Sequence, residues 1–154
     1  MFDAIDRKIC ALLQENARAS STEVAQAVSL SVSAANERIR RLSTNGAIRG
    51  WHAALSPELF GADLCAFVLI DMDFEGESDA VAALTARDEV QELHHISGPH
   101  SYLMKLRLAD TRALQSFLSD VVKPLPAVSR TESIITLDTA KETPAIALKE
   151  IPDA

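Results

Sequence analysis

Two cysteines in a chain of 154 residues leave no room for a disulfide framework. Cys10 and Cys65 lie far apart, each inside an apolar periodic run, which suits small buried residues in a reducing compartment. No positively charged segment with an apolar core opens the chain, and no apolar run approaches the roughly 18 residues of a membrane-spanning helix. Neither export nor membrane insertion is expected, and the expected location is the cytoplasm. Positive charge is also in deficit: 15 Lys+Arg face 22 Asp+Glu, a net charge of −7. A protein of that sign is not drawn to nucleic acid as a whole, so any such binding must come from a local basic surface present in more than one copy. No nucleophile with its base, and no pair of carboxylates, occurs at a spacing that suits catalysis, so the chain is not expected to be an enzyme.

What is present is unevenly distributed. Residues 1–50 carry 7 Lys+Arg against 5 Asp+Glu, a net of +2, and residues 51–154 carry 8 against 17, a net of −9. With 47% hydrophobic residues the chain can build its cores without cross-links, and two small domains fit it better than one. The expected division is a helical unit over 1–50, a strand and linker over 51–63, an α+β unit over 64–141 and a tail over 142–154.

The first unit reads as three short helices. Asp3 caps a helix with Ile5, Ile9, Leu12 and Leu13 on one face, running to about Asn16. Ser20 followed by Glu23 is a capping-box pattern opening a second helix with Val24, Ala25 and Val28 inward. Ser29 and Leu30 form a turn whose left-handed position would suit glycine. Ser31 then caps a third helix in which Ala35, Ile39 and Leu42 recur at buried-face spacing, and Gly46 sits where a left-handed C-terminal cap tolerates glycine best. An amphipathic helix with arginines on its wet face is most often only a solvated helix. A short helix immediately before it and a chain of opposite charge after it change that reading to a helix-turn-helix, whose second helix enters the DNA major groove. Ser31, Ser33, Asn36, Arg38, Arg40 and Arg41 are the expected DNA-binding residues, with Ser33, Asn36 and Arg38 facing the groove and Arg40 and Arg41 nearer phosphate. Arginine can bridge guanine and asparagine adenine, whereas phosphate contacts mainly set affinity. A dimer would read half-sites about one helical turn, roughly 34 Å, apart.

Ala47 to Leu55, with Trp51, has the extended character of a strand leaving the helical unit, and Pro57 and Gly61 punctuate a connector. Beyond it the pattern alternates: a strand over Leu64 to Asp73, a helix from Gly76 to Arg87 with Ser78 as cap, strands over Val90 to Ser97 and Ser101 to Leu108, a helix capped by Asp110 and stopped by Pro124 and Pro126, and a strand over Val128 to Leu137. This β-α-β-β-α-β order is that of a ferredoxin-like sandwich. Both alternations of its first strand are apolar, Cys65, Phe67 and Leu69 on one and Ala66, Val68, Ile70 and Met72 on the other, so both sheet faces call for burial and a dimer formed sheet to sheet is expected. The tail is expected either to dock through Ile146, Leu148 and Ile151 or to stay unattached.

These residues carry a resemblance. The runs Ile5-Asp6-Arg7-Lys8-Ile9, Leu30-Ser31-Val32-Ser33, Arg38-Ile39-Arg40-Arg41-Leu42 and Gly46-Ala47-Ile48 resemble the amino-terminal half of the Lrp/AsnC, or feast/famine, regulators. Val90, Ser97-Gly98, Tyr102-Leu103-Met104, Val128 and Thr131 resemble the ligand-binding module of the same family. Two unrelated motif sets in the right order and separation, reaching to about residue 141, make the resemblance specific. It implies a winged-helix-like helix-turn-helix unit joined to a ferredoxin-like sensing unit in a bacterial or archaeal transcription regulator. It also implies a homodimer assembling to a tetramer or octamer, double-stranded DNA as partner and an amino acid or related small metabolite as effector. The effector cleft so implied involves Gly98, His100, Ser101 and Tyr102, completed by Thr131 and Ser133 of a neighbouring subunit. Many members carry an aspartate where this chain has Ser101, which offers a neutral hydrogen bond in place of a charge-assisted one.

Three other readings arise from the same residues. His94, His95 and His100, with Cys65, invite a metal, but adjacent strand histidines point to opposite faces and cannot both hold one ion without distortion, so neither metal nor cofactor is expected. A sirohaem-decarboxylase-like enzyme shares the resemblance, yet the basic helix is intact and no added cluster of arginine and tyrosine stands near His100. A stand-alone metabolite-sensing oligomer without operator binding is the remaining alternative to a regulator.

Overall fold

The computed structural model describes residues 2–148. It divides into two units, one formed by residues 2–54 with residues 142–148, the other by Leu55–Lys141.

In the first unit α1 (Ala4–Glu15), α2 (Ser21–Ala27) and α3 (Val32–Thr44) follow one another closely. Each start is fixed by a side chain that accepts from a backbone N–H left over in the first turn: Asp3 from Asp6, Ser20 from Glu23, and Ser31 from Ala34. Ser20 and Glu23 complete a reciprocal capping box as expected, and Asp3 with Asp6 forms a second. Between α2 and α3 the chain reverses at Ser29, whose φ of +55° is the left-handed position read from the sequence. Gly46, at φ +80°, follows the end of α3. Ile9, Leu13, Val24, Ala25, Val28, Ala35 and Leu42 make the core.

The strand expected over Ala47 to Leu55 is not there: residues 49–56 adopt no regular structure, and Pro57–Phe60 forms a single 3-10 turn. Extended composition makes a strand only when another backbone lies alongside to exchange hydrogen bonds, and no described segment does so here.

The second unit is a four-stranded antiparallel sheet of order β2-β3-β1-β4, from β1 (Leu64–Met72), β2 (Val90–His95), β3 (Tyr102–Leu108) and β4 (Val128–Ile135). With α4 (Glu77–Thr85) after β1 and α5 (Thr111–Phe117) after β3, this is the expected ferredoxin-like arrangement. Here α4 starts one residue before its expected cap: Gly76 at φ +84°, and not Ser78, occupies the capping position. A π-helical turn, Leu118–Val122, extends α5 toward Pro124. Ala66, Val68 and Ile70 of β1 are sealed with Met104 and Leu106 of β3 and with Leu84, Leu114 and Phe117 of the helices. The other face carries Phe67, Leu69 and Leu103 half-buried and Ile134 exposed, with charged residues around them.

Candidate DNA interface and effector cleft

Helix α3 presents three surfaces. Ala35, Ile39 and Leu42 face the core of the first unit. Directly away from them, Val32, Ser33, Asn36, Glu37 and Arg40 line one shallow depression open to solvent. Asn36 is oriented there by Ser21, whose hydroxyl donates to its Oδ1 over 2.6 Å, while its amide nitrogen remains to donate outward. Arg40 pairs with Glu37 one turn back, and this contact raises the arginine's pKa and lowers the glutamate's.

On the third surface stand Arg38 and Arg41, turned toward α1. The Arg38 guanidinium donates to Asp3 over 2.7 Å and to Asp6 over 2.8 Å and is 24% exposed, so an arginine expected in the groove is held against the protein. Arg41 donates to both oxygens of Asp6, at 2.9 and 2.7 Å. The hydrogen bond from Arg38 holds the Asp3 carboxyl below its ordinary range, and the two carboxylates raise Arg38. Ser31, expected as a DNA contact, accepts from Ala34 N–H as the cap of α3. Asp6, which sequence reasoning did not single out, is the anchor of this cluster. Its signal was legible: Asp6, Ile9 and Leu13 recur at offsets 0, 3 and 7 on the buried face of α1, and a carboxylate in such a position demands cations from across the interface.

The six expected effector residues collect at the end of the sheet where β1 finishes and the β2–β3 connection passes. Gly98 takes a φ of +137° in that connection, a conformation that L side chains rarely adopt. Ser101 is fixed there: its N–H donates to Ile70, its carbonyl accepts from Ile96, and its Oγ accepts from Met72 N–H at 3.2 Å. Tyr102, Ile70 and Thr131 form one row across three strands, with Ser133 two residues further along β4. The Tyr102 hydroxyl donates to Glu77 Oε1 over 2.8 Å, and its ring stacks on His95 at 5.0 Å between centroids. His100 reaches the other face, with Nδ1 3.0 Å from Asp71 and Nε2 4.0 Å from Glu132, and its side chain is 13% exposed. Within a single chain the six residues therefore surround the sheet end from both sides. His94 pairs with Glu92 and points away from His95, and among the described residues no group of three or more His, Cys, Asp or Glu is placed to hold a metal ion. Both cysteines are free thiols.

Comparison with known proteins bears on both surfaces. A family model of the AsnC-type helix-turn-helix domain matches residues 2–43, and one of the Lrp/AsnC ligand binding domain matches residues 65–146. The leucine-responsive regulatory protein of Haemophilus influenzae is 36% identical over 152 residues, covering 96% of this chain and 91% of that protein. An HTH-type transcriptional regulator of Pyrococcus abyssi is 33% identical over 148 residues, covering 96% and 97%. Among solved structures, a transcriptional regulator of Neisseria meningitidis in complex with L-methionine superposes with a TM-score of 0.88 at 28% identity, covering 96% of this chain and 97% of that one. The feast or famine regulatory protein of M. tuberculosis, also complexed with L-methionine, gives 0.87 at 35% identity, covering 95% and 99%.

Proposed function

Because this chain belongs to the Lrp/AsnC family of transcription regulators, we propose that it reads double-stranded DNA through the outward stripe of α3 and changes that reading when its second unit takes up an amino acid or related metabolite. The observation that carries the proposal is the segregation on α3: apolar residues inward, and Ser33, Asn36 and Arg40 together on the opposite, open side. Of these, Ser33 and Asn36 are the proposed groove residues, with Arg40 and the exposed part of Arg41 nearer phosphate. Ser31 and Arg38 serve by shaping the helix and its seat.

The proposed effector site is the sheet end with Gly98, His100, Ser101 and Tyr102, joined by Thr131 and Ser133 of a neighbouring subunit. Two relatives crystallised with L-methionine support an amino acid as the ligand class. Ser101 favours one end of such a ligand. Its oxygen already accepts from Met72, which leaves its hydrogen to donate, and a donor suits the effector carboxylate better than the ammonium. The working form proposed is a homodimer closed over the bare sheet face, assembling to a tetramer or octamer in the cytoplasm. Among the described residues no helix is long and apolar enough to cross a membrane.

The test is to enrich duplexes from a random pool with the purified protein, then to measure retention of the enriched duplex in a gel shift with and without the twenty amino acids in pools. Specific retention that one pool changes is the expected result. Recovery of no preferred duplex at low salt by folded protein would remove the regulator reading in favour of a sensor without an operator.

A further inference from the structure

Apolar packing joins α1 to α3 through Ile9, Leu13, Ala35 and Leu42 and sets which stripe of α3 faces inward, while burial of apolar area, having no direction, leaves the finer roll of the helix to directional contacts. The directional contacts between these helices come from Asp6, with Asp3 at the cap of α1 beside it. This carboxylate is 1% exposed and accepts from Arg38 at 2.8 Å and from Arg41 at 2.9 and 2.7 Å, while Asp3 takes Arg38 at 2.7 Å. Asp6 is tied down in turn, its N–H donating to Asp3 Oδ1 over 2.8 Å and its Oδ2 accepting from Asp3 N–H over 3.2 Å. Two carboxylates and two guanidinium groups thus cancel at the flank of the recognition helix. Charge-assisted bonds of this kind fix geometry as well as energy.

We propose that Asp6 is a positioning residue for DNA recognition: it sets the fine roll of α3 and, with Asp3, withholds Arg38, and partly Arg41, from phosphate, so that sequence is read by Ser33 and Asn36 while Arg40 meets the phosphate backbone. The proposal rests on the reading of α3 as the groove helix. Its consequence is that the helix carries less sequence-independent attraction than its three arginines suggest. Each phosphate neutralised contributes about 0.9 to the slope of log affinity against log salt. Arg38, held by Asp6 and Asp3 together, contributes nothing to that slope and nothing to binding of random DNA, and Arg41, half exposed, contributes only in part. A merely structural Asp6 would, on removal, weaken operator and random DNA alike.

The experiment uses the full chain, the duplex that the wild-type protein enriches from a random pool and a random duplex of equal length, with affinities measured across a salt series. Asp6→Asn keeps the shape and one acceptor oxygen. It is expected to steepen the salt slope by about 0.9 for each arginine released per subunit and to lower the ratio of operator to random affinity about tenfold. Arg38→Gln is the second variant, because it leaves Asp6 paired with Arg41 and serves where Asp6→Asn does not fold. For it the expected result is an unchanged salt slope on both duplexes with a lower affinity ratio, whereas Arg40→Gln flattens the slope on both. A slope that falls equally in Arg38→Gln and Arg40→Gln would put Arg38 on phosphate and overturn the proposal. An Asp6→Asn protein that folds and keeps both slope and ratio would overturn it too. If Asn36→Ala and Arg40→Gln also leave operator binding intact, the failure lies with α3 as the groove helix and not with Asp6 alone.

Discussion

The hydroxyl of Tyr102 donates to Oε1 of Glu77 over 2.8 Å, joining the first residue of β3 to the first residue of α4. A phenol that donates to a carboxylate loses that bond on ionising and meets a like charge in its place. The hydrogen bond to Glu77, then burial, then the charge of Glu77 raise the Tyr102 pKa above its ordinary value of 10.0. The group therefore contributes stability that is complete below about pH 10 and is lost as pH rises through the folded-state value. Tyr102 is the single tyrosine of the chain, so phenolate absorbance reports it alone. The expected midpoint lies above that of the denatured chain and moves down in Glu77→Gln. Equal midpoints in the two proteins would mean that the bond is absent in solution.

Ser29 holds φ +55° at the turn between α2 and α3, where an L side chain costs on the order of 1 kcal/mol. Leu30, whose N–H donates to Ala25 at 2.9 Å, ties the next residue back onto α2, so the turn has no freedom to relax. Ser29→Gly should therefore stabilise the first unit, by somewhat less than about 1 kcal/mol because glycine also loosens the unfolded chain. Ser29→Val should destabilise it, since a branched Cβ is worst at positive φ. Thermal denaturation of the three proteins decides, and a lower melting temperature for Ser29→Gly than for the wild type would show that the serine is not strained.

Asn36 and Arg40 should fail differently when truncated. With its Oδ1 engaged by Ser21, Asn36 has donors left for a base edge, so Asn36→Ala should relax preference at one base-pair step by about 1 to 3 kcal/mol and leave the salt slope in place. Arg40→Ala removes a full charge from the open side of the helix and should reduce the slope by about 0.9 per half-site on every sequence. Selection from a random pool reads the first effect and a salt titration the second. A uniform loss over all sequences in Asn36→Ala would take that residue out of base recognition.

Much of this architecture was legible because its causes are local. Ser20 with Glu23, Ser31, Ser29 and Gly46 act on backbone within a few residues, and strand alternation with a short β2–β3 connection left little choice of sheet order. What was not legible depended on a partner remote in sequence. Periodicity placed Arg38 beside the apolar stripe of α3 but could not say that it would bend to Asp3 and Asp6, 35 and 32 residues away. The extended run after Gly46 had the composition of a strand without a neighbour to pair with. The effector residues are a mixed case: Ser101 and Tyr102 lie together by sequence, whereas His100 finds Asp71 only through the pairing of β1 with β3. The tail behaves likewise. Gln14 of α1 brackets Ile146 with its amide, donating to the carbonyl at 2.8 Å and accepting from the N–H at 3.0 Å, while Ile151 lies outside the described residues.

The bare sheet face supports the last prediction. Phe67, Leu69 and Leu103 are half-buried and Ile134 is 49% exposed, adjacent across β3, β1 and β4 in the registers Leu69 with Leu103 and Phe67 with Ile134. A two-fold pair of such faces would bury eight side chains, each gaining about 1 to 2 kcal/mol on going from partial to full burial. That total is comparable with the roughly 4 to 15 kcal/mol cost of associating two molecules, so the pairing holds only if most of the patch closes. Two carboxylates placed in the middle should reverse the balance. Leu69→Glu combined with Leu103→Glu leaves the helix-covered core of Ala66, Val68, Ile70 and Met104 untouched and is expected to sediment as a monomer with unchanged far-ultraviolet circular dichroism. The wild type should sediment as a dimer or a multiple of it. A wild type that is monomeric at micromolar concentration, or a double variant that keeps the wild-type mass, would place the assembly contact elsewhere on the chain.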